Sequence, residues 1–129
     1  MLARTDPALK AAIHITAAPH EHQAVHSAWC FATALLSAGH SINRVFLQGD
    51  AVFLAAAPDP ASPSRDENSS QWEQLITAWS LPATVCIGSA QQRTLDDAHL
   101  RTGWSTGGLG EWVMACSEAD RILQFTGEQ

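Results

Sequence analysis

Residues 83–88, ATVCIG, form an uncharged run rich in β-branched side chains, entered from Leu81-Pro82 and followed by the small residues Ser89 and Ala90. A strand with no charge on either side has to be covered on both faces, as in a parallel sheet enclosed by helices. The rest of the chain supplies matching parts. Residues 11–17, AAIHITA, read as a first buried strand broken at Ala18-Pro19. Over residues 24–38, Val25, Ala28, Trp29, Ala32, Leu35 and Leu36 recur every three or four positions, and Gly39 follows as a stop; this spacing predicts a helix. SINRVFL, residues 41–47, predicts a second strand and so a βαβ unit.

Residues 58–70, PDPASPSRDENSS, predict a long surface loop. It runs into a helix over 67–80, capped near Asp66, with Trp72, Leu75, Ile76 and Trp79 on one face. Beyond the central strand, residues 89–103 are polar and predict short helical turns, anchored by Leu95 and starting near Asp96 or Asp97. Glycines 107, 108 and 110 lead into an apolar helix through Trp112, Val113 and Ala115, and RILQF, residues 121–125, closes the chain as a last strand. Alternating strands and helices predict an α/β fold: a single-domain three-layer sandwich with a mostly parallel sheet of about five strands. The domain is expected over residues 11–129, with residues 1–10 a flexible extension or a subunit contact.

A length of 129 residues suits one domain. Hydrophobic residues make up 46% and charged residues only 16%, a low charge content that points to partner subunits. The net charge of -6 argues against direct nucleic-acid binding. The first residues lack the apolar core of a signal peptide, and no run reaches the roughly 18 apolar residues a membrane helix needs, so a cytoplasmic location is expected.

Three widely spaced cysteines without a CxxC pair indicate neither a disulfide framework nor a zinc site. Cys86 stands where the central strand hands over to GSAQQ, and the carboxyl ends of parallel strands form the crevice where ligands collect. A helix starting at Ser89 would aim its free amides at a thiolate or persulfide there. Position alone leaves a second reading open, a buried cysteine acting as a small hydrophobe. Cys30, between Trp29 and Phe31, and Cys116, in the last helix, are assigned to packing. His20, His22 and His26 include one helical four-residue interval but no further ligand pattern, and a solvated loop is expected. GGLG at 107–110 matches no phosphate-binding fingerprint and reads as a helix entry. The tryptophans at 72, 79, 104 and 112 are assigned to core or subunit packing.

These residues together resemble TusD/DsrE sulfurtransferase subunits, from about residue 11 to residue 125. SAWCFATALLSAGHSINRVFLQGDAV resembles that family's first helix, glycine stop and second strand. WEQLITAW with ATVCIGSA resembles the helix and strand that deliver its reactive cysteine, which maps onto Cys86. GLGEWVMACSEADRILQF resembles its closing helix and strand, with the Asp120-Arg121 pair. The resemblance implies a persulfide relay on Cys86 without metal or organic cofactor, supported by the backbone of Gly88, Ser89 and Ala90. It further implies TusB-like and TusC-like subunits in a heterohexamer, an upstream persulfide donor, a TusE-like acceptor, and 2-thiolation of tRNA wobble uridine. A DsrE-type role in oxidative sulfur metabolism and a non-catalytic scaffold role are the alternatives. In the QQRTL segment after Cys86 only Arg93 is basic, so backbone amides are expected to carry most of the anion stabilisation.

Overall fold

In the computed structural model, which describes residues 7–58 and 67–127, the chain begins with strand β1 (Lys10–Ile15), helix α1 (His22–Ser37) and strand β2 (Ser41–Leu47). A 3-10 segment (Gly49–Ala55) precedes helix α2 (Glu67–Trp79), strand β3 (Ala83–Cys86) and the short helix α3 (Ile87–Gln92). A 3-10 turn (Asp97–His99) then leads to strand β4 (Trp104–Gly107), helix α4 (Leu109–Glu118) and strand β5 (Arg121–Phe125). All neighbouring strands pair in parallel, in the order β4-β3-β2-β1-β5.

That order dictates the layers. Crossovers between parallel strands are right-handed, so the steps β1→β2→β3→β4, all in one direction, place α1, α2 and α3 on one face. The step β4→β5 runs back across the sheet and places α4 on the other. Packing follows this division. Val25, Ala28, Ala32 and Leu36 of α1, Trp72 and Ile76 of α2 and Ala90 of α3 share one core with alternate strand residues Ile13, Ile15, Val45, Leu47 and Val85. Full burial of a side chain of this kind contributes about 1.5–3 kcal/mol, so most of the apolar stabilisation lies on the first face. The second face has one helix, which buries Ala115 and leaves Val113 and Met114 each 64% exposed.

A bulge in β2 governs what reaches that second face. Ala11 pairs with Ile42 but Ala12 pairs with Arg44, so Asn43 is the extra residue. Without it, Ile42, Arg44 and Phe46 would share a side. With it, Ile42 joins Val45 and Leu47 in the core, while Arg44 and Phe46 turn toward α4. Asn43 secures the arrangement by donating from Nδ2 to the Ala115 carbonyl of α4 at 2.9 Å.

The sandwich, its parallel sheet and β2 agree with expectation, and several details differ. The fifth strand is β4, whose WSTG sequence is too short and too polar to signal a strand. Helix α3 begins at Ile87 rather than Ser89, so the central strand ends at Cys86. Lys10 belongs to β1, and the Leu9 amide donates to His40 Nδ1 at 2.9 Å, so the extension expected over residues 1–10 is integrated at its end. Residues 1–6, and residues 59–66 with the cap expected near Asp66, lie outside the described residues. No helix among the described residues is long and apolar enough to cross a membrane.

Candidate functional site

Cys86 is both the last residue of β3 and the N-cap of α3. Beyond β3 the chain turns to the first face, and beyond β4 it turns to the second. Adjacent strands whose connections diverge in this way leave a crevice at their carboxyl ends. Cys86 and its register partner Gly107 form the two sides of that crevice. Strand alternation directs Cys86 and Thr84 toward α4, whereas Val85 enters the core. Cys86 is 6% exposed; Ile87, Gly88 and Gly108 beside it are exposed.

The neighbours of the thiol come from three elements. Gln48 lies one residue past Leu47, the last β2 residue paired with β3, and is therefore level with Cys86. Gly107 has no side chain, and the Glu111 carboxylate from the first turn of α4 lies over its α-carbon, with Thr84 Cγ2 only 2.7 Å from where a Cβ would stand. Arg44 donates from NH1 to Thr84 Oγ1 at 2.8 Å and pairs with Glu111 at 3.9 Å. Its buried Nε has no hydrogen-bond partner among the described residues. A guanidinium and a carboxylate thus stand on the face to which Cys86 points, one pleat away.

This alters the expected electrostatics. Arg93, the basic group expected from the sequence, pairs with Asp50 at 2.9 Å and donates to the Ser89 carbonyl at 3.0 Å, pinning α3 to the 3-10 segment. Ser89 Oγ accepts from the Gly49 amide at 2.9 Å. Because the helix starts at Ile87, Gly88 and Ser89 occupy its second and third positions and keep free amides, whereas Ala90 is the fourth, whose amide donates back to the Cys86 carbonyl and is not available to the sulfur. The Cys86 side chain makes no capping hydrogen bond to them. Helix α3 has only six residues, so these amides matter more than a macrodipole.

His14 completes the second face. Its Nε2 lies 2.9 Å from Gln48 Oε1 and its Nδ1 lies 3.3 Å from Gln124 Nε2. An amide oxygen only accepts, so Nε2 carries the proton and Nδ1 accepts from Gln124. The ring packs on Phe46 and Trp112. Burial lowers the His14 pKa from 6.5, opposed in part by the Gln48 bond. The unfolded chain therefore binds the proton first as pH falls. Stability associated with neutral His14 is complete above 6.5 and is lost as pH drops from there toward the folded-state value. Denaturant titrations at about pH 7.5 and about pH 5 are expected to show a smaller loss for His14→Gln than for the parent chain.

The other candidates separate. Cys30, assigned to packing, is exposed on α1, whereas Cys116 is half-buried and burial pushes its thiol pKa up. His22 and His26 lie in α1 rather than in a loop. No group of three histidine, cysteine, aspartate or glutamate side chains suited to a metal occurs among the described residues. In GGLG, Gly107 ends β4 and Gly108 caps α4. Trp72 and Trp104 are core residues, and Trp79 is exposed. Sequence reasoning did not single out Arg44 or Glu111, which a bulge and a helix arriving from the opposite face bring together, or the bond between His14 and Gln48.

Fold and site define an α/β sandwich with one thiol at the carboxyl edge of its parallel sheet, at the point where successive connections diverge. The chain is similar to the putative sulfurtransferase DsrE of Allochromatium vinosum, 32% identical over 91% of this chain and 98% of that one. It is also similar to the sulfurtransferase TusD of Erwinia tasmaniensis, 31% identical over 86% and 95%. The crystal structure of the ychN protein from E. coli superposes with a TM-score of 0.77 at 25% identity, covering 91% of this chain and 99% of that one. The DsrE/DsrF-like family model matches residues 9–125, and the chain belongs to that family.

Proposed function

We propose that this protein is a sulfur-transfer subunit that carries sulfane sulfur as a persulfide on Cys86. The observation that carries this reading is the position of Cys86 at the divergence of β3 and β4, under the first amides of α3. The sulfurtransferase names of its relatives support the chemistry. In the loading step the Cys86 thiolate attacks the outer sulfur of a donor persulfide, R–S–SH. The donor S–S bond breaks, a new one forms on Cys86, and the leaving thiolate takes the proton, so Cys86–SH and R–SSH give Cys86–S–SH and R–SH. An acceptor thiolate then attacks the outer sulfur of Cys86 and restores the thiol. No metal or organic cofactor enters either step.

Arg44 and Glu111 act on this chemistry with opposite signs, since a nearby cation favours the sulfur anion and a nearby carboxylate opposes it. Arg44→Met is expected to slow sulfur loading about three- to tenfold and Glu111→Gln to speed it by a similar factor, corresponding to about 1 kcal/mol each. Stopped-time mass spectrometry measures both rates; equal shifts in the same direction would remove the electrostatic account.

The subunit works in the cytoplasm with TusB-like and TusC-like partners in a heterohexamer and passes sulfur to a TusE-like acceptor, toward 2-thiolation of tRNA wobble uridine. The exposed apolar residues Leu109, Val113 and Met114 on α4 and Ile122 on β5 suit subunit contacts. Incubation with a cysteine desulfurase and cysteine should add about 32 Da, one sulfur atom, mapping to the Cys86 peptide. An adduct confined to another cysteine would defeat the assignment. The 6% exposure of Cys86 favours a second reading, a scaffold subunit with a packed, inert thiol. Under that reading tRNA thiolation in cells survives Cys86→Ser but not deletion of the subunit; loss in both supports the relay.

A further inference from the structure

We propose that Cys30 and His26 form a second reactive-thiol site, on the outer face of α1, that exchanges with low-molecular-weight disulfides. This site is independent of the role of Cys86. Cys30 is exposed, and its Sγ lies 3.4 Å from His26 Nε2. The two residues are four apart on α1, where side chains one turn apart meet. A third residue fixes the imidazole. Trp29 stacks on the His26 ring with centroids 5.8 Å apart and planes at 21°, and its own indole Nε1 donates to the Gln71 carbonyl of α2 at 3.2 Å.

The indole is therefore a fixed platform rather than a loose surface ring. The stacked indole holds the imidazole beside the sulfur, where it can take the Cys30 proton. The attacking species in thiol–disulfide exchange is the thiolate, so the arrangement places a proton acceptor and an open thiol in one group. The other two thiols differ: Cys86 is buried and Cys116 is half-buried with its pKa pushed up.

In the exchange, the Cys30 thiolate attacks one sulfur of a disulfide R–S–S–R. The disulfide bond breaks, Cys30–S–S–R forms, and the departing R–S⁻ takes the proton from His26 as R–SH. Helix α1 packs on the first face of the sheet, whereas the Cys86 side chain points to the second. The sheet stands between the two sulfurs, well beyond the separation a disulfide tolerates, so the product is a mixed disulfide and not an internal bridge.

The test uses the full chain under native conditions with a chromogenic aromatic disulfide and, separately, with glutathione disulfide. One fast equivalent is expected, mapped by peptide mass spectrometry to Cys30 and at least about tenfold ahead of Cys86 and Cys116. Cys30→Ser should remove that phase. His26→Gln should slow it about fivefold with an unchanged melting temperature, and Cys86→Ser should leave it intact. A fast phase that survives Cys30→Ser, or a Cys30 rate in His26→Gln equal to that of the parent, overturns the proposal.

Discussion

Replacing Cys86 with serine is expected to reduce sulfur loading at least about 10³-fold, because a serine hydroxyl without an adjacent base is hardly ionised near neutral pH and forms no persulfide. Two alternative causes of such a loss can be separated. Cys86 is buried, and a hydroxyl left there without a partner costs about 1–3 kcal/mol, enough to lower the melting temperature without unfolding a domain of ordinary stability. Cys86→Ala carries no hydroxyl and leaves only a small void, so it provides the second variant. Loss of loading in both, with native melting in at least one, assigns the chemistry to the thiol. Loading that persists in both returns the protein to the scaffold reading. The remaining cysteines offer an internal check: Cys30 is open to small disulfides, and Cys116 is half-buried. A delivery step that depends on recognition by the donor protein should bypass Cys30, so Cys30→Ser is expected to load like the parent chain.

The architecture was legible where local pattern and burial agree. SINRVFL appears as β2 over the expected residues because its apolar end enters the core, and RILQF appears as β5. β4 was not legible. Its middle residues Ser105 and Thr106 have no apolar alternation, and the strand is held by pairing with β3 and by Trp104 in the core. The start of α3 was misplaced by two residues because Ile87 carries strand propensity, which helix formation directly after Cys86 overrides. For the site, Cys86 could be placed at the end of a central strand from composition alone. Its electrostatic surroundings could not. Arg44 reaches the Cys86 face only through the bulge at Asn43, and a bulge depends on the partner strand rather than on the bulged sequence. Cys30 was misread for a related reason: Trp29 and Phe31 beside it suggested an apolar setting, yet neighbours in sequence on a helix point in different directions. Trp29 turns inward toward α2 while Cys30 and Phe31 face outward.

Gly103→Ala is expected to destabilise this fold by about 2–6 kcal/mol, through two costs that add. The first is conformational. Gly103 has φ +96, where an L side chain is strained by about 1–3 kcal/mol. The second is steric. An added Cβ would lie 2.7 Å from Ile76 Cγ2, and Ile76 is a nearly fully buried, β-branched core residue of α2 with little freedom to withdraw. Overpacking of this kind costs about 1–3 kcal/mol. Gly39 separates the two contributions. It has φ +91, but a methyl added there would meet nothing within 4 Å, so Gly39→Ala measures the dihedral cost alone. Thermal and denaturant unfolding of the two variants should place Gly103→Ala below Gly39→Ala by about the overpacking cost. Equal losses would mean that Ile76 yields without penalty. The consequence extends to the site, because Gly103 immediately precedes β4 and sets the entry of the strand that ends at Gly107, opposite Cys86. A Gly103→Ala chain that is still folded should therefore load sulfur more slowly than Gly39→Ala at the same temperature, since only the former displaces one side of the crevice.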